Sequence, residues 1–217
     1  MKIFRKIGDK FFYRGGIFHP TKNHSPYLRG FCQLKNKKII NIGAGGYDPI
    51  PGAINIDPYR MGPNTVKAFG ENLPFDDNSI DLAICTATLE HIKSPQSVIT
   101  EIHRVLKPEG EIYIEVPFIQ PYHAAPNDYY RFTLRGSEEI CKKFKKIDSG
   151  IVSGPGSGVA WILVEYAQLY FDNKFLKKIM KNLAKILVFP LKYIDNWLIK
   201  KTDSVILASG FYYYGKK

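Results

Sequence analysis

Cysteine is scarce: Cys32, Cys85 and Cys141 are the only three in 217 residues. They lie far apart and match neither a disulfide framework nor a zinc-ligand spacing, so reduced, cytoplasmic surroundings are expected. No apolar run is long enough to span a bilayer. The N-terminal MKIFRKIGDKFFYRGG is basic but lacks the apolar core and small-residue cleavage site of a secretory leader, so none is expected. No His/Cys/Asp cluster has metal-ligand spacing along the chain, and no metal is expected. Apolar and aromatic side chains are plentiful, at 45% and 14%. That excludes a disordered chain, and the length suits one domain with a core of its own and an added subdomain.

Acids are rare at both ends. The formal net charge is +11, and residues 1–38 carry ten Lys/Arg against one acid. Residues 39–141 carry seven basic and fourteen acidic side chains, and residues 142–217 fourteen and five. An acidic centre between basic flanks points to an anionic partner: a membrane surface, a phosphorylated substrate or nucleic acid.

The stretch from Lys38 to Tyr59, KIINIGAGGYDPIPGAINIDPY, organises the chain. It reads as a buried strand (Ile39, Ile40, Ile42), a glycine turn (Gly43, Gly45, Gly46) and a second strand, Ala53 to Ile56, ending at Asp57. In a parallel sheet the turn and Asp57 fall side by side on one edge. Glycine lets a ligand approach bare backbone, and a carboxylate at the next strand tip accepts hydrogen bonds from a ribose diol. Further strands are expected at Ile80–Thr86 and Glu111–Val116. Between them lies a helix with Ser94 as N-cap, Pro95 at its first position, and Val98, Ile102, Val105 and Leu106 on one face. Strands alternating with helices give an α/β parallel sheet. Only YDPIPG separates Gly46 from Ala53, so the first crossover is compressed into a loop or single turn.

The pieces NIGAGG, INIDPY, ENLPFDDNSIDLAIC, LEHI, EIHRVLKPEG and EIYIEVP, from Asn41 to Pro117, resemble in order and spacing the class I S-adenosylmethionine-dependent methyltransferases of small-molecule type. The form NIGAGGYDPIPGAINID is similar to a subgroup associated with glycan and cell-envelope biosynthesis. The resemblance implies a Rossmann-like, mostly parallel sheet with an antiparallel last strand, and S-adenosyl-L-methionine as cofactor. It implies that Gly43, Ala44 and Gly45 back the methionine part and that Asp57 takes the ribose hydroxyls. Leu73 and Asn72 would lie by the adenine, and Thr86 under the methyl-bearing end. Two departures stand out. Phe69 replaces an acid that contacts the adenine amino group, leaving stacking or Glu71 to compensate. Glu109-Gly110 replaces a Gly-Gly turn.

Methyl transfer from a sulfonium needs positioning above all, and a base only for some acceptors. The segment PFIQPYHAAPNDYYRFT, Pro117 to Thr133, leaves the strand edge where an acceptor would bind and is similar to the family's H…DYxRxT segment. His123 is the first candidate base, with Asp128 orienting it or acting itself. Tyr129, Tyr130 and Arg131 would shape the acceptor pocket, Arg131 gripping an anion. Equally, Asp128 and Arg131 form a structural ion pair. His91 is a second candidate, set against a role at a helix start beside Glu90.

Residues 144–152 read as a strand, SGPGSG (Ser153 to Gly158) as a flexible loop, and Val159–Phe171 and Lys174–Phe189 as helices. The second helix has an apolar stripe of Phe175, Leu176, Ile179, Met180, Leu183, Ile186 and Leu187, with lysines opposite. Tyr193, Ile194, Trp197 and Leu198 extend the stripe. Such a face suits peripheral contact with an anionic membrane through 174–201, or packing on a core. Ser204 to Tyr214 reads as the final strand. The expected division is an N-terminal cap (1–37), a core (38–158 and 202–217) and a helical insertion (159–201). The expected function is methyl transfer to an oxygen or nitrogen of a small-molecule or glycan acceptor, lipid-linked at the inner membrane face in one version. The alternatives are an RNA methyltransferase and a non-catalytic cofactor-binding protein. Nucleic acid is disfavoured as a partner, because no N/D-P-P-Y/F-like motif or RNA module appears.

Overall fold

The computed structural model describes residues 17–34, 36–46 and 50–217. The aromatics Phe4, Phe11, Phe12 and Tyr13 and the middle of the compressed first connection lie outside those residues. Seven strands form one sheet: β1 (Ile39–Ile42), β2 (Ile54–Ile56), β3 (Thr65–Val66), β4 (Ile80–Thr86), β5 (Leu106–Pro117), β6 (Lys145–Ser153) and β7 (Gly210–Lys216). Their order is β3-β2-β1-β4-β5-β7-β6. Among the described residues six helices accompany them: α1 (Leu28–Phe31), α2 (Pro95–Val105), α3 (Leu134–Ile140), α4 (Pro155–Gln168), α5 (Lys174–Val188) and α6 (Leu191–Leu198).

The first five strands pair in parallel, with β1 between β2 and β4. Strands covered on both faces need apolar residues at every position rather than at alternate ones. Accordingly Ile39, Ile40 and Ile42 of β1 and Leu82, Ala83, Ile84 and Cys85 of β4 are all buried. The polar exceptions satisfy each other: Asn41 Nδ2 donates to Asn55 Oδ1 at 3.0 Å, and Asn55 Nδ2 to the Pro63 carbonyl at 3.0 Å. Helix α2 buries Val98, Ile99, Ile102 and Val105, so Ile99 joins the expected face, while Leu106, expected on it, is extended and opens β5 five residues before the expected Glu111. Ser94 stands at its N-cap position without a side-chain capping bond. The start of β5 meets the end of β7 through Glu109 N–H to Lys217 O and Lys217 N–H to Gly110 O, so β7 runs antiparallel to β5. Glu109 has φ +64, the left-handed conformation that glycine adopts without cost. That accounts for the Gly-Gly turn this chain lacks.

The described residues form two compact units, one of residues 25–118, 122–150 and 211–217 and one of residues 17–24, 119–121 and 151–210. In the first, Tyr27 and Phe31 pack against Tyr113 and Tyr214, with Tyr27 also against Tyr212. Tyr27 and Tyr212 both donate to Asp148 Oδ2 at 2.7 Å.

Two expectations are corrected in the second unit. Residues 202–206 form a 3-10 helix, and the last strand begins at Gly210 rather than Ser204. The Ser204 hydroxyl and N–H turn back to the carbonyls of Leu198 and Lys201 and keep the chain coiled there. SGPGSG is the start of α4 and is buried, not a flexible loop. Asp195 from α6 is itself fully buried and accepts from Gly156 N–H (2.7 Å), Ser157 N–H (2.9 Å) and Ser157 Oγ (2.7 Å). It thereby satisfies donors that a helix start leaves open. The glycines permit the approach. A Cβ on Gly154 would lie 2.5 Å from the Asp195 carboxyl, and one on Gly156 2.2 Å from the Leu191 carbonyl.

Alanine in place of a helical glycine ordinarily stabilises by about 1 kcal/mol. Here the sign reverses: Gly156→Ala is expected to destabilise by about 2 kcal/mol or more. Chemical denaturation checks it, and an unchanged or raised midpoint refutes the close packing.

Candidate active site

The carboxyl ends of β1 and β2 carry the glycine turn and the acid. Gly43, Gly45 and Gly46 have φ of +74, +64 and +81. Gly43 N–H and Ala44 N–H both reach the Ile56 carbonyl, at 2.8 and 3.3 Å. A Cβ on Gly43 would fall 2.0 Å from Thr88 Oγ1, and that hydroxyl donates to the Thr86 carbonyl at 2.9 Å. So Thr88, which sequence reasoning passed over, is the reason a glycine stands at 43. Asp57 is 6% exposed. Its Oδ2 accepts from Gly45 N–H at 2.7 Å, and its Oδ1 from Tyr59 and Arg60 N–H at 2.8 and 2.7 Å. Turn and carboxylate therefore lie side by side, as the sequence pattern required. A carboxylate offers about four acceptor positions, so three backbone donors leave room for one hydroxyl rather than two.

Beyond Asp57, Tyr59 and Phe69 are exposed and meet edge to face at 6.0 Å, presenting aromatic surface where the family acid is missing. Leu73 is buried, Glu71 half-buried and Asn72 exposed, its N–H bonded to Phe69 O. This loop is clamped from α2. Leu73 N–H donates to Glu101 Oε2 at 3.0 Å, and Arg104 donates to the Leu73 and Phe75 carbonyls and to Glu101. The clamp was readable in EIHR only as charges three apart. Thr86 lines a cavity of about 240 Å³ with Asn41, Ile50, Ile84, Leu28 and Arg29.

The loops after β4 and β5 come together. His91 closes a 3-10 turn at Leu89–His91, and Tyr129 N–H donates to the Glu90 carbonyl at 2.7 Å. The rings of His91 and His123 meet edge to face at 5.4 Å. The expectation of no metal-ligand cluster rests on spacing along the chain; in space Glu90, His91 and His123 place their ligand atoms within 4.8 Å of one another. Asp128 is engaged otherwise. Arg131 grips both its oxygens, at 2.5 and 2.7 Å, and His123 N–H donates to it at 2.7 Å. The Arg131 guanidinium holds the Asp128 carboxyl down at about 2. A group that acidic is ionised at neutral pH and a weak proton acceptor. Tyr129 and Tyr130 are largely exposed, and Tyr130 Oη donates to the Lys93 carbonyl at 2.9 Å. Thr133 caps α3 by accepting from Gly136 N–H.

A glycine turn and an acid on adjacent strand tips of a parallel sheet form the arrangement at which α/β proteins hold nucleotide-type cofactors. Residues 45–114 match the family described as methyltransferase domain. An uncharacterized protein of Methanocaldococcus jannaschii is 29% identical over 133 residues, 54% of this chain and 62% of that protein. The ubiquinone/menaquinone biosynthesis C-methyltransferase of Idiomarina loihiensis is 31% identical over 116 residues, 54% and 43% of the two chains. The chain thus spans less than two thirds of either relative. A putative sarcosine dimethylglycine methyltransferase from Galdieria sulphuraria shares the fold, with a TM-score of 0.59, 14% identity and coverage of 100% and 97%. Residues 45–114 are thus similar to a methyltransferase domain, and the chain has the fold of that structure.

The Asp128–Arg131 pair yields a pH-dependent prediction. The carboxyl lies near 2 folded and about 4 unfolded. Its stabilisation is therefore complete above about pH 4 and fades as pH falls toward 2. Arg131→Ala is expected to lower stability by about 2–4 kcal/mol at pH 7, the gap from wild type narrowing below pH 4. Urea midpoints across that range check it, and a gap independent of pH refutes the assignment.

Proposed function

We propose that this chain transfers a methyl group from S-adenosylmethionine to an oxygen or nitrogen of a small-molecule or glycan acceptor, lipid-linked and met at an anionic membrane surface. The observation that carries the reading is the hydrogen bond from Gly45 N–H to the buried Asp57, which joins a turn without side chains to a carboxylate at the next strand tip. The residues fit the cofactor. Gly43, Ala44 and Gly45 give backbone against which its methionine part can lie. Asp57 keeps one acceptor position for the sugar. Leu73, Asn72, Glu71 and the Tyr59–Phe69 pair surround the place of the base, and Thr86 stands at the methyl end. When bound, S-adenosylmethionine supplies a methyl carbon on a positively charged sulfur that needs no further activation. On the acceptor side His123 takes a proton, or His91 beside it. Tyr129 and Tyr130 offer ring surface, and Arg131 with Asp128 fixes the segment that carries His123.

The membrane clause rests on the helical unit. Helix α5 buries only Ala184 and leaves Phe175, Leu176, Ile179, Leu183, Ile186 and Leu187 exposed, joined by Trp197 of α6. Lys174, Lys178, Lys200 and Lys201 are exposed with them. An apolar face ringed by lysines matches an anionic lipid surface. No helix among the described residues is long and apolar enough to cross the bilayer, so contact is from one side.

Calorimetry with S-adenosylhomocysteine tests the cofactor reading: wild type should bind, and Asp57→Ala should bind at least about tenfold more weakly. No heat with wild type removes the reading. Co-sedimentation tests the surface. The chain should pellet with phosphatidylglycerol vesicles and not with phosphatidylcholine, and the double change Phe175→Ala, Trp197→Ala should weaken this by about tenfold or more. Binding to structured RNA without vesicle binding would favour an RNA acceptor instead.

A further inference from the structure

We propose that Glu90, His91 and His123 form a binding site for a divalent transition-metal cation. Glu90 is fully buried, and neither carboxylate oxygen accepts a hydrogen bond. A buried carboxylate without donors is costly, and Asp128 close by shows the contrast with three donors. His91 Nε2 and His123 Nε2 stand 3.8 and 3.7 Å from Glu90 Oε1. A protonated imidazole donating to that oxygen would lie nearer, at about 2.8 Å. Two ligands bound at about 2.1 Å around a tetrahedral ion stand about 3.4 Å apart. The two separations from Glu90 are close to that, and one ligand atom from each of the three residues lies within 4.8 Å of the others, so the group closes on an ion by a shift of about 1 Å at its widest pair. His91 Nδ1 is 2.6 Å from the Asn127 carbonyl. Donating there fixes the tautomer and aims the Nε2 lone pair inward, the outer-shell bond that ligating histidines make. For His123, Arg131 Nη2 points a donor at Nδ1 from 3.4 Å, so ligation through Nε2 requires Nδ1 to take a proton and turn from Arg131 toward Asp128 Oδ2, 3.9 Å away. Both histidine side chains are partly exposed, at 14% and 25%, so the site has an entrance.

Two imidazoles and one carboxylate suit zinc, iron(II), cobalt or manganese better than magnesium, and they leave positions open. In use, which rests on the methyl-transfer reading but replaces the histidine base with the cation, an open position holds an acceptor oxygen. Its hydroxyl proton passes to solvent on coordination, and an anionic acceptor is left bound to the cation.

Cobalt(II) is the probe, added to the chelator-treated full chain. One equivalent should bind with visible ligand-field absorption, be displaced by zinc and be indifferent to excess magnesium. Glu90→Gln and His123→Ala should each weaken cobalt binding at least tenfold. His123 is partly exposed, so its variant serves even if Glu90→Gln fails to fold. No cobalt binding by wild type, or equal binding by the folded variants, overturns the site. Heat with S-adenosylhomocysteine is read on the same samples. Its loss with cobalt binding intact sinks the methyl-transfer reading and leaves the cation site; the reverse sinks the cation site alone.

Discussion

The carboxylate of Asp57 holds the edge of the sheet together. A turn of left-handed residues points its N–H groups away from any strand ladder, and those groups need acceptors. Asp57 supplies one from the far end of β2, drawing in Gly45 from one side and Tyr59 and Arg60 from the other. The same carboxylate thus shapes both the turn and the loop after β2. Thr88 completes the arrangement from β4's side by filling the volume a side chain on Gly43 would need.

The two acids of the acceptor side live under different constraints. Asp128 holds three donors and acts as a fixed point from which the backbone of His123 hangs. Glu90 is equally buried but faces two imidazoles and no donor. The two acids are therefore distinguishable by what surrounds their oxygens, whereas the sequence alone singled out Asp128 and gave Glu90 only a place at a helix start.

Local chemistry was legible in the sequence. The isoleucine run of β1, the glycine turn, Asp57, the bounds of β4 and the start of α2 follow from residues within a few positions of each other. Long-range satisfaction was not. Asp195 turns SGPGSG from loop to helix start, yet it comes 39 residues after Gly156. His123 joins Glu90 and His91 only because the loops after β4 and β5 converge. Strand β3 is two residues long, too short to leave a period, and the last strand shifted because Ser204 bonds backward. The acceptor-side pairing of Asp128 with Arg131 was visible as a spacing of three, while its effect on the carboxyl needed the geometry.

Asp195 has one more implication. The opening turn of α4 emerges early, but the anion that neutralises its backbone emerges with α6. Until then the glycine-rich segment gains little by coiling, since glycine is a poor helix former. The opening turn of α4 therefore depends on a residue 39 positions further along, and a chain cut before α6 would leave those N–H groups without this acceptor.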